Sequence, residues 1–313
     1  LFGAFRWDHH PQWGSELTPR LGAIWSGERS RLRLSWQTGF RGAVGVHYSG
    51  GFRRDGLLRE ENFDEIENHS LLEDFGFSNI SPTEPEEISS LELAGHLLVT
   101  PALSIEGVVF RNEVENVIDV GVIFIDPAEA VIAGQQVGTD LVGDWNGLFY
   151  FKNNRGTIDQ LGLEASLRWK AGLADVHASH SHVEVRDADP DQFGGSMYLT
   201  GTPDDPHFKA FPEDVTRLNL MIRPDENWSI GVNYLYYWRW YSPLDTRVDA
   251  NHILNASASW SFGRGIRLTL SGKNLFDQDE LYPMNNNASD AALSSGTPAL
   301  ESRTFWLRAG YSF

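Results

Sequence analysis

The chain is 313 residues long and carries 25 Lys+Arg against 43 Asp+Glu, a formal net charge of −18 at pH 7. Such an acidic balance argues against holding nucleic acid through its phosphates, so nucleic acid is set aside as a partner. There is no cysteine, hence no disulfide frame, thiolate metal site or thiol chemistry; mean hydropathy is −0.33 and no apolar run is long enough for a transmembrane helix, although a transmembrane barrel shows only alternate residues to lipid and passes this test too.

The opening "LFGAFRWDHH" has no initiator Met, basic n-region or small-residue cleavage site, so Leu1 is expected to be an internal starting point with more chain upstream. From there the sequence divides into runs of alternating apolar and polar residues, the period of a strand with one wet face. The alternation predicts twelve strands, at 1–8, 19–26, 30–41, 87–99, 103–119, 149–170, 173–185, 214–223, 228–241, 249–262, 266–278 and 302–313. Five connections are short and rich in turn residues: "SGE" near residue 27, "TPA" at 100–102, "AG" at 171–172, "PDEN" at 224–227 and "GRG" at 263–265. The others are long: about ten residues after His9, then 42–86, 120–148, 186–213, 242–248 and 279–301. Short connections alternating with long ones are the pattern of an outer-membrane barrel, with short periplasmic turns and long extracellular loops.

The aromatic residues follow the same division. Trp25, Trp169, Trp228, Trp260 and Phe262 lie beside short turns, as one interfacial girdle of a membrane barrel does, and Trp7, Tyr236, Trp238 and Trp240 form a candidate second belt. A soluble sandwich would bury such aromatics in its core but has no reason to gather tryptophan beside one class of turn. In "WSIGVNYLYYWRW" the residues Trp228, Ile230, Val232, Tyr234, Tyr236, Trp238 and Trp240 share one face, opposite Ser229, Gly231, Asn233, Tyr237 and Arg239. In "LNASASWSF" the same division sets Leu254, Ala256, Ala258, Trp260 and Phe262 against Asn255, Ser257, Ser259 and Ser261.

Six segments in order along the chain carry a family resemblance. "GAFRWDHHPQWGSELTPRLGAIW", "RLRLSWQTGFRG", "EPEEISSLELAG", "NNRGTIDQLGLEASLRW", "GKNLFDQDELY" and "RTFWLRAGYSF" resemble successive strands of TonB-dependent outer-membrane receptors, the last being the closing strand with a terminal phenylalanine. The resemblance implies an all-β, antiparallel, up-and-down transmembrane barrel. Residues 1–313 would form the C-terminal part of about 22 strands, without the plug domain, the TonB box or the early strands. One departure is "GFRGAVGVHY", where the family often has a proline. The resemblance also implies that Phe305, Leu307, Tyr311 and Phe313 serve as the signal read by the outer-membrane barrel assembly machinery; simple lipid anchoring of Phe313 is compatible with that role.

Several polar groups are candidates for chemistry. His9, His10 and Trp13 at one extracellular turn, with Arg41, Tyr48, Arg53, Tyr237 and Arg239, are a set of cations and aromatics able to line a vestibule for a bulky anionic chelate; for each alone a structural role is the simpler reading. In "HASHSHVEV", His180 and His182 share a strand face and can share a metal, though no third ligand can be named and polar rim residues would look the same. "DADPDQFGG" offers Asp187, Asp189 and Asp191 to calcium, but Gln192 and Tyr198 stand where an EF-hand needs Gly and Glu. The acidic run "REENFDEIENHSLLEDFGF" reads as a solvated face, or as a loop bridged by divalent cations to lipopolysaccharide. No nucleophile elbow or phosphate-cradling glycine loop occurs, and no enzyme activity is expected.

The resulting expectation is a receptor barrel in the outer membrane of a Gram-negative bacterium, its loops capturing a scarce bulky nutrient. A ferric siderophore ranks ahead of cobalamin or another chelate, and no cofactor is required beyond calcium on the loops. The expected partners are the TonB complex through the missing N-terminal region, the assembly machinery, lipopolysaccharide and outer-membrane lipid. A small passive or autotransporter-like barrel and a barrel enzyme remain open at this point.

Overall fold

The structure is a computed structural model; it describes residues 1–11, 13–42, 83–125, 131–132, 135–136, 139–142, 145–193, 198–209, 211–241, 247–262, 265–278, 281–282, 297–298 and 301–311. Twelve strands form one antiparallel sheet in which each is hydrogen-bonded to its neighbours in this order. They are β1 (Phe2–His10), β2 (Gly14–Ser26), β3 (Ser30–Arg41), β4 (Glu86–Thr100), β5 (Leu103–Glu115), β6 (Thr157–Ala171), β7 (Ala174–Ala188), β8 (Asp214–Ile222), β9 (Trp228–Tyr237), β10 (Asn251–Phe262), β11 (Ile266–Lys273) and β12 (Thr304–Tyr311). Each wall strand falls within or across one of the twelve periodic runs, because alternation over eight or more residues is a strong signal.

The departures have local causes. β2 begins at Gly14, which has φ 87°, so the β1–β2 connection is a tight turn and not ten residues. The run 103–119 ends at Asn116, whose left-handed φ of 55° breaks the ladder. The run 149–170 is two elements: Trp145–Asn153 pairs with Ile118–Ile125 in a separate three-stranded sheet, and the wall strand starts after Gly156, at φ 82°. The run 228–241 likewise leaves the wall after Tyr237, and Trp240–Tyr241 pairs with Arg247–Val248. A further ribbon, Leu199–Thr202 with Asp205–Phe208, lies between β7 and β8.

Register assigns every side chain a face. One row of cross-strand partners is Leu103, Trp169, Val176, Leu220, Val232, Ala256, Gly272 and Phe305. The next row on the opposite face is Arg168, His177, Asn219, Asn233 and Asn255. The first face stays exposed along its length, with Phe5 at 78%, Trp25 at 60% and Leu307 at 75% accessible. A largely apolar face left open to the surroundings is suited to lipid, and the polar face to an aqueous lumen. Phe110 lies across Gly162 on the polar face, where any Cβ would occupy the ring's place; a glycine covered by a cross-strand aromatic is a recurrent way to build a curved sheet.

The compact apolar core lies at the end with the long connections. Val117, Ile158, Val185, Ala188, Leu199 and Phe208 are buried together, and Ile158 and Val185 belong to the polar-face set by their register. The connection between β7 and β8 therefore packs inward through Leu199 and Phe208, over the lumen side of the wall. Its single turn of 3-10 helix, Pro190–Gln192, buries Gln192 completely, and the Gln192 amide donates to the carbonyls of Arg155 and Gly156 at 3.1 and 3.3 Å.

Candidate functional site

The inward-folded segment is fastened to the wall through Arg41. Arg41, at the outer end of β3, is ion-paired with Glu86 at the start of β4 and donates to the Tyr198 hydroxyl at 2.6 Å. Glu86 also accepts the backbone N–H of Ile118 at 2.8 Å. One carboxylate, only 11% exposed, thus joins β3, β4, the chain leaving β5 and the segment preceding the Leu199–Thr202 ribbon. Hydrogen bonds to charged groups are among the stronger ones. The Arg41 guanidinium is accordingly engaged in holding the rim together.

The other vestibule candidates fall in three places. At the β1–β2 tip, His10 stacks on Trp13 with ring centroids 4.8 Å apart and 7° between planes, and Trp13 meets Phe40 edge-on at 5.2 Å. His9 alternates to the other face, stacked on Trp7 at 6.0 Å with its Nδ1 2.9 Å from Ser15 Oγ; it faces away from the lumen, the opposite of the vestibule expectation. Tyr237 is on the lumen face, across from Val215 and Asn251, while Arg239 lies in the connection beyond β9. Tyr48 and Arg53 lie outside the described residues. The structure therefore brings His10 and Trp13 together, and separates them in the sheet from Tyr237 and Arg239 by the whole breadth of β3–β8.

For the metal candidates, register supplies a partner that spacing could not. His182 lies directly across from Asp214, with Nδ1 2.9 Å from Asp214 Oδ1; His180 places Nε2 3.3 Å from the same oxygen and Nδ1 2.9 Å from Thr216 Oγ1. The two imidazoles are thus engaged with a carboxylate and a hydroxyl on the outward face. Asp189 accepts the Thr157 N–H at 2.7 Å as a structural cap, and Asp187 pairs with Asp159 beside a β-bulge. Among the described residues no three His, Cys, Asp or Glu side chains are grouped so as to hold a metal ion.

The girdle residues Trp25, Trp169, Trp228, Trp260 and Phe262 all belong to the outward set and lie near the short turns. Trp228 and Trp260 are register partners and stack at 5.3 Å and 7°. Phe305, Leu307 and Tyr311 point outward on β12 with exposures of 62, 75 and 61%; Phe313 lies outside the described residues. Glu86, Tyr198 and Asp214 are not singled out by the sequence as site residues, because only the pairing of distant strands reveals what they hold.

A many-stranded antiparallel wall, apolar outward and polar inward, with short turns at one end and long connections at the other, defines the wall of a transmembrane β-barrel. The sequence matches the family described as "TonB dependent receptor-like, beta-barrel" over residues 1–275, and the chain belongs to that family. No curated protein sequence matches it. Among solved structures it is similar to the ferric enterobactin receptor PfeA from Pseudomonas aeruginosa (TM-score 0.66, 16% identity, covering 99% of this chain and 43% of that one). It is also similar to the siderophore receptor PirA from Acinetobacter baumannii (0.65, 13%, 99% and 43%) and to the ferric-catecholate import receptor Fiu from E. coli K12 (0.58, 14%, 96% and 35%). The chain spans less than half the length of these structures. Barrels of this family lie in the outer membrane of Gram-negative bacteria, and its members are transporters and not enzymes.

Proposed function

We propose that this chain is wall and vestibule of a receptor that takes up a ferric siderophore across the outer membrane, energised by the TonB complex through parts of the protein outside residues 1–313. The observation that carries this reading is the family match over most of the chain, joined to a rim in which Leu199 and Phe208 pack inward and Tyr198 is tied to Arg41 and Glu86. The names borne by the similar structures, a ferric enterobactin receptor and a siderophore receptor among them, favour an iron chelate over cobalamin. Aromatic groups on the lumen side, His10 and Tyr237 among them, with Trp13 stacked on His10, suit an aromatic anionic chelate. Phe305, Leu307 and Tyr311 on the last wall strand would be read by the barrel assembly machinery.

The test is uptake of radiolabelled iron as its catecholate, hydroxamate and citrate chelates by iron-starved cells with and without the gene, and with the membrane potential collapsed. Energy-dependent accumulation of one chelate that disappears in both controls is the expected result. Gene-dependent uptake that persists without energy makes the protein a passive pore, and gene-dependent growth on cobalamin alone replaces the ligand class.

A further inference from the structure

Where the outward apolar face of β8 and β9 ends, a cleft of about 320 Å³ opens beneath the Leu199–Thr202/Asp205–Phe208 ribbon. Its walls are aromatic and carboxylate: Phe211, Tyr236 and Trp238 with Glu213 and Asp214, and Arg239 at the side. Tyr236 belongs to the outward set, across from Thr216 and His252. Trp238 is turned onto the same face, its indole N–H donating to Thr216 Oγ1 at 3.2 Å and its ring 4.8 Å from Tyr236 and edge-on to His180 at 6.4 Å. Asp214, Tyr236 and Trp238 thus bring the cleft out to the side of the wall that meets lipid, at the end away from the short turns, while Phe208 of the buried core closes its inner end.

The chemistry narrows what can sit there. An acyl chain has no use for two carboxylates, and a simple anion is opposed by them. A simple cation is opposed by Arg239 and by three imidazoles that already take the carboxylates: His207 lies 3.1 Å from Glu213, and His180 and His182 converge on Asp214. A pyranose ring fits all of the walls at once. Its C–H faces stack on flat aromatics, which offer an apolar body at low entropic cost, and its hydroxyls donate to carboxylates, each with about four acceptor sites of which the imidazoles use only part. A phosphate or ring oxygen on that sugar meets Arg239. At about 320 Å³ the cleft is at the small end of the range of ligand pockets, enough for one or two rings and too small for a bulky chelate. The walls are fixed in advance, since the histidines hold both carboxylates and His207 stacks on Tyr241 at 5.2 Å, and a rigid site loses less on binding.

We infer that this cleft is a sugar-binding site for the headgroup of an outer-leaflet glycolipid, lipopolysaccharide being the outer-membrane lipid with that chemistry. The site is separate from the transported chelate and does not depend on its identity. The experiment uses the receptor in its full natural length, in lipopolysaccharide-free detergent, titrated calorimetrically with purified lipopolysaccharide and, separately, with its delipidated core oligosaccharide and with dextran fragments. The expected result is saturable binding of lipopolysaccharide and, more weakly, of the core oligosaccharide, with affinity reduced on the order of tenfold in Trp238→Ala and in Arg239→Gln, the latter retaining the aromatic walls. A Trp25→Ala control at the opposite interface should bind as the parent does. Absence of binding by the parent protein, binding unchanged in both cleft variants, or equal binding of dextran fragments would each overturn the assignment. Heat-modifiable mobility in gels establishes that each variant is folded.

Discussion

Two stretches of the same wall meet water in different ways. On β3–β6 the lumen face is charged, with Arg31, Arg33, Glu92, Glu106, Glu164 and Arg168. On β9 and β10 it carries no formal charge: Ser229, Gly231, Asn233, Ser257, Ser259 and Asn255 are small or amide-bearing. The charged stretch is joined by reach. Arg33 lies across from Ala94, yet its guanidinium pairs with Glu92, two residues along. The neutral stretch is joined by register. Asn233 donates to Asn219 at 2.8 Å and Asn255 donates to Asn233 at 3.0 Å, a chain of amides through residues that are direct partners in the sheet, which the backbone N–H of Asn274 extends by donating to Asn255 at 2.9 Å. Long ionic side chains tolerate slack between strands, whereas short amides demand that the strands sit at one level. Alternation requires only that the inner face be polar; the kind of polarity decides whether register is merely allowed or actively specified.

Four substitutions test that contrast, read as denaturant midpoints of the refolded full-length receptor in detergent. The largest effect is expected at the rim end of the charged stretch: Glu86→Ala leaves Arg41 and the Ile118 N–H without their shared acceptor and should cost about 2–3 kcal/mol, with proteolytic cleavage appearing between β7 and β8. A stable, protease-resistant variant would show that Glu86 does not hold that segment. Next, Asn233→Ala removes two amide bonds at once and should cost about 1–2 kcal/mol, with a coupling to Asn219→Ala of about 1 kcal/mol that is insensitive to salt; additive effects would reduce the ladder to coincidence. Smallest is Arg33→Ala, expected to cost about 1 kcal/mol or less and to fade with rising salt, as partly exposed ion pairs do. An Arg33 effect larger than that of Asn233 would reverse the comparison.

The wall itself was legible because a period of two sustained over a strand leaves few alternatives, and because lipid-facing strands repeat that period in every hairpin. Its ends were less so. Gly14 to Leu17 have no apolar alternation to announce the early start of β2, and the break at Asn116 depends on a backbone angle that an asparagine permits but does not require. The rim was legible only as a set of long connections. The meeting of Arg41 with Tyr198, 157 positions apart, and the convergence of His180 and His182 on Asp214 follow from which strands lie side by side, and no spacing within one segment encodes that. His9 shows the opposite limit: type and position made it a vestibule candidate, while counting one residue along β1 from His10 places it on the far face.

Among the described residues every one of the twelve wall strands is paired, within the wall, only with the wall strands next to it in chain order. Such a wall contains no crossover and no strand inserted between two earlier ones, so an entire hairpin can be lost or duplicated without changing the partners of any strand outside it. Because a hairpin adds one strand up and one down, the inward and outward assignment of all remaining residues survives the change. The circumference of the wall is in this sense a heritable variable that moves in steps of two strands, while the lipid face, the lumen face and the rim chemistry carried by neighbouring hairpins are passed on intact.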